Sequence, residues 1–287
     1  MLTYETAWVI TACSMSCVIV GLLFTMRQRM VGTTLTGPCS WAIAALLAIS
    51  SVEVFVRCIV VDLLAGDALR HAAAVMTLCP ALSLLGARRP HDRAWHFVVG
   101  GFWCVCVLPA AEAYLIKGGP SLEIQPVWSV LVGGGILLGL VNRLPTRFWL
   151  SAVLFAGGQA LLFGERLMFG EAVHYPRFVG ANVCFFLAGL SGLCVWWYRS
   201  ERIPGSQRLW CDFHNAYGWL WSARLADRVK DMSVRKEWDV SVHWYGLRSG
   251  SEELGKNGSS EVEDGVILAM RGILRRFVSE DWISQRL

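Results

Sequence analysis

Seven long apolar segments, separated by short polar connections, dominate the first two thirds of the chain. A helix needs about 20 apolar residues to cross a bilayer, and an open strand would leave its backbone groups unpaired in lipid. The sequence therefore predicts an all-α polytopic membrane bundle over residues 1–198. The predicted spans are 7–26, 41–61, 68–85, 94–116, 124–141, 148–163 and 178–197. The fifth and sixth are the shortest, and the third begins with polar residues.

The positions of the basic residues predict how this bundle is oriented. Alternate connections carry most of the arginines, at 27–29, 88–93, 143–147 and 199–208, whereas the other connections are mixed or acidic. Because basic residues collect in cytoplasmic loops, we expect an external N-terminus and a cytoplasmic C-terminus in a multi-pass protein of the cell (inner) membrane. Charges become dense beyond the last span, so residues 199–287 are predicted to form a small cytoplasmic tail module.

The second span carries two charged residues, Glu53 and Arg57. Their spacing places them one turn apart on one face of a helix. A charge at such depth costs roughly 2.5–3.5 kcal/mol, so both side chains should face the bundle interior and pair. The pair either fixes helix packing or forms one wall of an outer polar pocket. Arg70, His71 and Glu112 are the best candidates for the rest of that pocket.

An aromatic stripe with helical spacing opens the tail, at Trp210, Phe213, Tyr217 and Trp221. An amphipathic aromatic helix beside the bilayer can lie in the headgroup layer or dock a partner. The same stripe can instead pack on the rest of the tail. Both interpretations predict one amphipathic helix here.

The rest of the tail reads as a strand and a second helix. Residues 238–246 alternate in the manner of a short strand, and residues 266–287 repeat apolar positions as an amphipathic helix does. One strand cannot form a stable sheet alone. We therefore expect this helix–strand–helix tail to bind a protein partner or to form a homo-oligomer, in addition to the contact of the bundle with the bilayer.

The sequence contains no complete set of catalytic or metal-binding residues. Most of the ten cysteines fall in apolar segments and none forms a Cys-x-x-Cys pair, and such cysteines act as small apolar residues. We predict no catalytic residues, no metal and no cofactor. The basic residues are dispersed, which argues against nucleic acid as a partner.

These observations favour a non-enzymatic sensor, signal-transmitting protein or complex subunit with a cytoplasmic docking tail. One alternative is a transporter component in which Glu53 and Arg57 line the path. The sequence shows no internal repeat and no pair of broken helices, which many transporters have. A membrane scaffold or assembly protein is the other alternative. An enzyme is least favoured, because no catalytic set is complete.

Overall fold

The computed structural model describes a chain that is mostly helical. The described residues are 4–59, 62–88, 92–117, 125–164, 174–197, 205–243, 246–249, 252–253 and 260–287. The bundle helices are α1 (Tyr4–Arg29), α2 (Thr36–Cys58), α3 (Leu63–Met76), α4 (Cys79–Leu85), α5 (Asp92–Glu112), α6 (Pro126–Arg143), α7 (Trp149–Leu162) and α8 (His174–Trp197). A π-helical turn, Ala113–Lys117, continues α5. These helices lie where the apolar segments predict them.

Among the described residues, six helical segments are long and apolar enough to cross a membrane. They are Thr6–Gln28, Thr36–Cys58, Leu63–Leu85, Ala94–Ile116, Pro126–Arg143 and Pro176–Trp197. The remaining predicted span, 148–163, corresponds to α7, whose 14 residues reach about 21 Å. That length is less than the roughly 30 Å of a hydrocarbon core. The chain thus has the helices of an integral membrane protein, and α7 is shorter than a full crossing requires.

The third predicted span is interrupted in its middle. α3 ends at Met76 and α4 begins at Cys79. Pro80, in the first turn of α4, lacks the N–H that would continue the α-helical hydrogen bonding to Met76. The carbonyl of Thr77, which the interruption frees, accepts a hydrogen bond of 2.9 Å from Gln159 Nε2, as a lipid environment requires. The interruption was not predicted from the sequence, although Pro80 is its signal.

Three parts of the bundle meet the tail. Between α1 and α2, the N–H of Thr34 donates to the carbonyl of Phe277 at 2.9 Å. At the end of α4, the carbonyl of Leu84 accepts a hydrogen bond of 3.0 Å from the indole of Trp221. The end of α6 and the connection that follows it make five further hydrogen bonds to the tail. The connections with the basic excess therefore lie at one end of the bundle, named the tail end below; the opposite end is the far end.

The tail begins with two helices where one was predicted. α9 (Gly205–Tyr217) and α10 (Trp219–Lys236) meet at Gly218, which has a φ of 80° and a ψ of −173°. This backbone conformation is essentially restricted to glycine. A Cβ at Gly218 would also lie 2.5 Å from the carbonyl oxygen of Asn142 in α6. The apolar stripe thus turns a corner where the bundle packs against it.

The predicted strand has its partners within the same chain. β1 (Val240–His243), β2 (Gly246–Ser249) and β3 (Glu252–Glu253) form an antiparallel sheet in that order. Val242 lies opposite Leu247, whose side chain is completely buried. The expectation that the strand lacks a partner was wrong, so the sheet no longer argues for an oligomer.

The predicted C-terminal helix is also two elements, α11 (Ser260–Leu274) and α12 (Glu280–Ser284). Between them, Val278 forms a β-bridge with Thr33 of the bundle. The side chains of the tail build one apolar core together with the end of α4. This core includes Leu84, Ala87, Leu209, Trp210, Phe213, Tyr217, Trp221, Leu225, Leu247, Met270, Leu274, Phe277 and Ile283. The tail is therefore packed onto the bundle.

Candidate functional sites

A buried ionic cluster lies around Glu53 at the far end of the bundle. Glu53, in α2, is only 1% exposed. Arg70 of α3 donates Nε to Glu53 Oε2 at 2.9 Å and Nη2 to Oε1 at 3.3 Å. Arg57, one turn along α2, donates Nε to Oε1 at 3.3 Å. The pair that the sequence suggests is therefore part of a larger cluster, in which one carboxylate lies between two guanidinium groups.

A small cavity of about 50 Å³ adjoins this cluster. Its charged lining comprises Glu53, Asp67, Arg70 and Arg177. Asp67 extends the cluster, because its Oδ1 accepts a hydrogen bond of 3.4 Å from Arg70 Nη1. A cavity of this volume has room for one or two water molecules and is far smaller than the sites that hold organic ligands. The arrangement holds α2 and α3 together and leaves no room for an organic substrate.

The structure places the other predicted members of the pocket differently. His71 is buried and lines the cavity, and its Nε2 lies 3.0 Å from the carbonyl oxygen of Cys106 in α5. Glu112 is exposed at the end of α5 and is not part of the cavity lining among the described residues. The assignment of Glu112 to the pocket therefore stays a prediction. Asp67 and Arg177, which lie just outside the predicted spans, contribute to the cavity lining.

At the tail end, Asn142 in the last turn of α6 organises the contact with the tail. Its side chain is buried. Oδ1 accepts a hydrogen bond of 3.0 Å from the N–H of Leu220, and Nδ2 donates to the carbonyl of Tyr217 at 3.4 Å. These two bonds hold both sides of the corner at Gly218. A buried amide with both ends paired specifies one arrangement of the groups around it.

Tyr217 connects three stretches of chain through its hydroxyl group. This hydroxyl donates to the carbonyl of Phe277 at 3.0 Å and lies 3.1 Å from Thr34 Oγ1. The Thr34 hydroxyl in turn donates to the carbonyl of Ala87 at 2.9 Å. Because Tyr217 is completely buried, these bonds are shielded from water and fix the two connections against the tail.

His214 of α9 contacts the connection between α6 and α7. Its Nε2 lies 3.0 Å from the carbonyl oxygen of Pro145. Burial lowers the pKa of His214 below the ordinary value of 6.5; the hydrogen bond to Pro145 opposes this, and the charge of Arg143 lowers the pKa further. A carbonyl can only accept, so Nε2 carries the proton in this contact. The tail end therefore favours the neutral imidazole.

The aromatic stripe of the tail is buried at this contact. Trp210, Phe213, Tyr217 and Trp221 are at most 6% exposed, and the last three pack their rings against Phe277. A face covered in this way is not available to the headgroup layer or to a separate partner. The interpretation as an interfacial or docking helix is corrected: the stripe packs on the tail and on the chain's own bundle.

A second, much larger cavity lies between bundle and tail and has a volume of about 1010 Å³. Residues of α1, α2, α4, α6, α7 and α8 form its walls, and residues of α9 and α12 close it on the side of the tail. The bundle contributes mainly apolar side chains. Polar side chains ring the tail side, at Asn142, Arg143, Arg147, Asp212, Asn215, Asp281, Gln285 and Arg286. Sequence reasoning missed this cavity, because residues far apart in the chain line it.

No family model, curated protein or solved structure matches the chain. Across the described residues, no group of three or more histidine, cysteine, aspartate or glutamate side chains could hold a metal ion. Three features therefore remain from which a function can be inferred: the Glu53 cluster at the far end, the contacts between bundle and tail, and the large cavity between bundle and tail.

Proposed function

We propose that the protein is a non-enzymatic integral membrane sensor that transmits a change at the Glu53 cluster to the tail. The observation that carries this proposal is the interrupted third span. α3 bears Arg70, which binds Glu53 at the far end, and α4 reaches Leu84, which binds Trp221 of the tail. One pair of helices thus contacts both the charged cluster and the tail. The interruption between them supports motion of α4 against α3, because bending concentrates where helical hydrogen bonds are missing.

In this proposal the tail lies in the cytoplasm and the Glu53 cluster on the outer side. The basic excess of the connections at the tail end supports this orientation. We also propose that α7 crosses the membrane despite its length. It starts at the tail end, and Phe163 after its last turn lies near His71, with 6.3 Å between ring centroids. A short span of this kind is accommodated by local thinning of the bilayer.

Hydrogen exchange of the full-length protein in lipid nanodiscs tests the transmission. Arg70→Lys keeps the positive charge, but a lysine cannot reproduce the two-pronged contact with Glu53. We expect faster exchange in α4 and in the amides of α10 around Trp221, far from the substitution. We expect this change because the α3–α4 pair contacts both the Glu53 cluster and the tail.

The control for this experiment is Glu112→Gln, which alters an exposed charge at the same end of the bundle. This variant should leave exchange in α10 at the wild-type rate. Changes in Arg70→Lys that stay confined to α2 and α3 would contradict transmission. The cluster would then be a device that only fixes helix packing.

A transporter component is the second candidate, and one specific observation favours it. Thr77, at the interruption, lines the large cavity on the tail side, and the Glu53 cluster lies at the far end of the same bundle. Discontinuous helices form the substrate sites of many transporters. In proteoliposomes with an internal pH dye, a proton path predicts a flux that Glu53→Gln abolishes. A wild-type protein no more permeable than protein-free liposomes would count against proton transport.

A further inference from the structure

The cavity between bundle and tail has apolar walls beside the membrane. Ile19, Leu46, Phe155 and Phe185 line it from α1, α2, α7 and α8. Its volume of about 1010 Å³ is at the upper end of the range for small-molecule sites. Because its walls belong to membrane helices, the apolar material at hand to fill it is the acyl chain of a lipid.

Two arginines on the polar rim of this cavity have no acidic partner in the described part of the chain. No ion pair there involves Arg143 or Arg147. Arg143 donates Nη1 to the carbonyl of Asn215 at 2.8 Å. Arg147 contributes its backbone N–H to Asn215 Oδ1 at 3.0 Å. The described residues therefore leave both positive charges without a neutralising carboxylate.

The third arginine of the rim, Arg286, differs from the other two because it has an acidic partner. Arg286 Nε lies 2.7 Å from Asp212 Oδ2, and its guanidinium group stacks on Trp282 at 3.7 Å from the ring centroid. Asp281, the other acidic residue of the lining, is exposed in the first turn of α12. Three arginines thus face two aspartates in the lining, and the excess positive charge lies on the α6–α7 side.

We propose that this cavity binds an anionic lipid of the bilayer, with its acyl chains on the apolar walls and its phosphate beside Arg143 and Arg147. Basic pockets between membrane helices bind anionic headgroups, and guanidinium groups bind phosphate through paired hydrogen bonds. A free anion would leave the apolar walls empty, and a zwitterionic lipid would leave the excess charge unbalanced. The site does not depend on transmission from the Glu53 cluster, because a lipid binds here whether or not the tail responds to the far end.

Native mass spectrometry of the full-length protein, released from detergent micelles, tests the site with three probes: phosphatidylglycerol, phosphatidylcholine and inorganic phosphate. The wild type should retain phosphatidylglycerol more tightly than phosphatidylcholine. Arg147→Gln should weaken phosphatidylglycerol binding about fivefold, the effect of one basic group near a membrane surface, and leave phosphatidylcholine unchanged. Arg228→Gln, an exposed arginine of α10 outside the lining, is the matched control and should bind as the wild type does.

A second variant distinguishes lipid binding inside the cavity from lipid binding on the outer surface of the protein. Ala152→Phe adds a ring at a residue that lines the cavity and should weaken binding of both lipids. Thermal unfolding without added lipid checks that each variant folds. Equal retention of the two lipids by the wild type would overturn the proposal, as would an equal loss in Arg228→Gln. Displacement of phosphatidylglycerol by an equal concentration of inorganic phosphate would show that the acyl chains contribute nothing, and unchanged binding in Ala152→Phe would place the lipid outside the cavity. Either outcome would overturn the proposal as well.

Discussion

The two ends of the bundle hold their arginines in different ways. At the far end, Arg57 and Arg70 share the buried carboxylate of Glu53. At the tail end, Arg143 and Arg147 lie on a cavity rim, and the described part of the chain offers them carbonyl and amide groups but no carboxylate. Burying a charge is costly unless it is paired. The far end therefore pairs Arg57 and Arg70 with a carboxylate of the same chain, whereas the proposed partner of Arg143 and Arg147 is a lipid phosphate from outside the chain.

Neutralising Glu53 should cause the largest loss in the free energy of unfolding. Glu53→Gln leaves two guanidinium groups beside an amide that cannot balance them, and breaking a buried pair in this way costs about 3–5 kcal/mol. Arg147→Gln, the corresponding change at the tail end, should alter the free energy of unfolding by less than about 1 kcal/mol, because the side chain is exposed. Thermal unfolding of both variants in nanodiscs measures the comparison.

A double substitution sharpens the same test. Glu53→Gln combined with Arg70→Gln removes charge of both signs, so it should be less destabilising than the sum of the two single changes. Similar losses of stability for Glu53→Gln and Arg147→Gln would show that the two ends do not differ in the way their contacts indicate.

Gly218→Ala should have the next largest effect on stability and act first at the tail end. The φ of 80° and ψ of −173° cost a residue with a side chain about 1–3 kcal/mol, and the new Cβ would meet the carbonyl oxygen of Asn142 at 2.5 Å. We expect the corner between α9 and α10 to loosen. Hydrogen exchange should rise most in α10, and less in α3, which α4 couples to the tail.

The matched control is Gly272→Ala in α11. A Cβ at Gly272 meets no other atom within 4 Å, and the residue lies inside a helix. Alanine there should stabilise the protein by about 0.5–1 kcal/mol, the opposite sign to Gly218→Ala. A shift in the same direction for both variants would contradict the role assigned to Gly218.

The membrane helices and the Glu53–Arg57 contact were predictable because both depend on local sequence. Apolar character over about 20 residues marks a span, and a spacing of four places two side chains on one helix face. Arg70 was predictable as well, because it is a charged residue at the start of the third predicted span. Asp67 is also charged and lies one turn before Arg70, but the predicted span begins at residue 68, so Asp67 was assigned to a loop.

The corner at Gly218 and the partner of β1 were not predictable because both depend on distant contacts. Apolar periodicity continues through Gly218, and the reason for the turn is Asn142, which lies far earlier in the chain. β2 has a single apolar side chain, Leu247, so it shows no strand-like alternation. Arg143 and Arg147, for which the described residues provide no carboxylate, likewise look like ordinary basic residues of a loop in the sequence, because only the fold brings them to the cavity rim.

Tyr217→Phe should weaken the tail end by a smaller amount. The variant loses the hydrogen bond from its hydroxyl to the carbonyl of Phe277. That carbonyl still accepts a hydrogen bond of 2.9 Å from the N–H of Thr34, so it is not left without a donor. The net loss of one such bond is about 1 kcal/mol. Denaturant titration in detergent measures it, with Tyr114→Phe as the control on an exposed tyrosine. An unchanged midpoint for Tyr217→Phe would mean that the buried hydroxyl does not hold the two connections.

A change of pH should produce the smallest effect and again separate the two ends. Burial and the charge of Arg143 lower the pKa of His214 below 6.5, despite the opposing hydrogen bond to Pro145. Since the unfolded chain takes up the proton first, His214 contributes stability that is complete above pH 6.5 and is lost as the pH falls through the lower pKa of the folded state. The protection factors of amides in α9 and α10, which correct for the intrinsic pH dependence of exchange, should therefore fall between pH 7.5 and 5.5, and His214→Gln should remove that fall.

The same titration connects the tail end to its cavity. An anionic headgroup beside Arg143 would offset the positive charge that opposes protonation of His214, so its pKa should move back toward the ordinary value. The stability lost between pH 7.5 and 5.5 should then be smaller with phosphatidylglycerol than with phosphatidylcholine. An identical pH dependence in the two lipids would mean that no anion lies near Arg143.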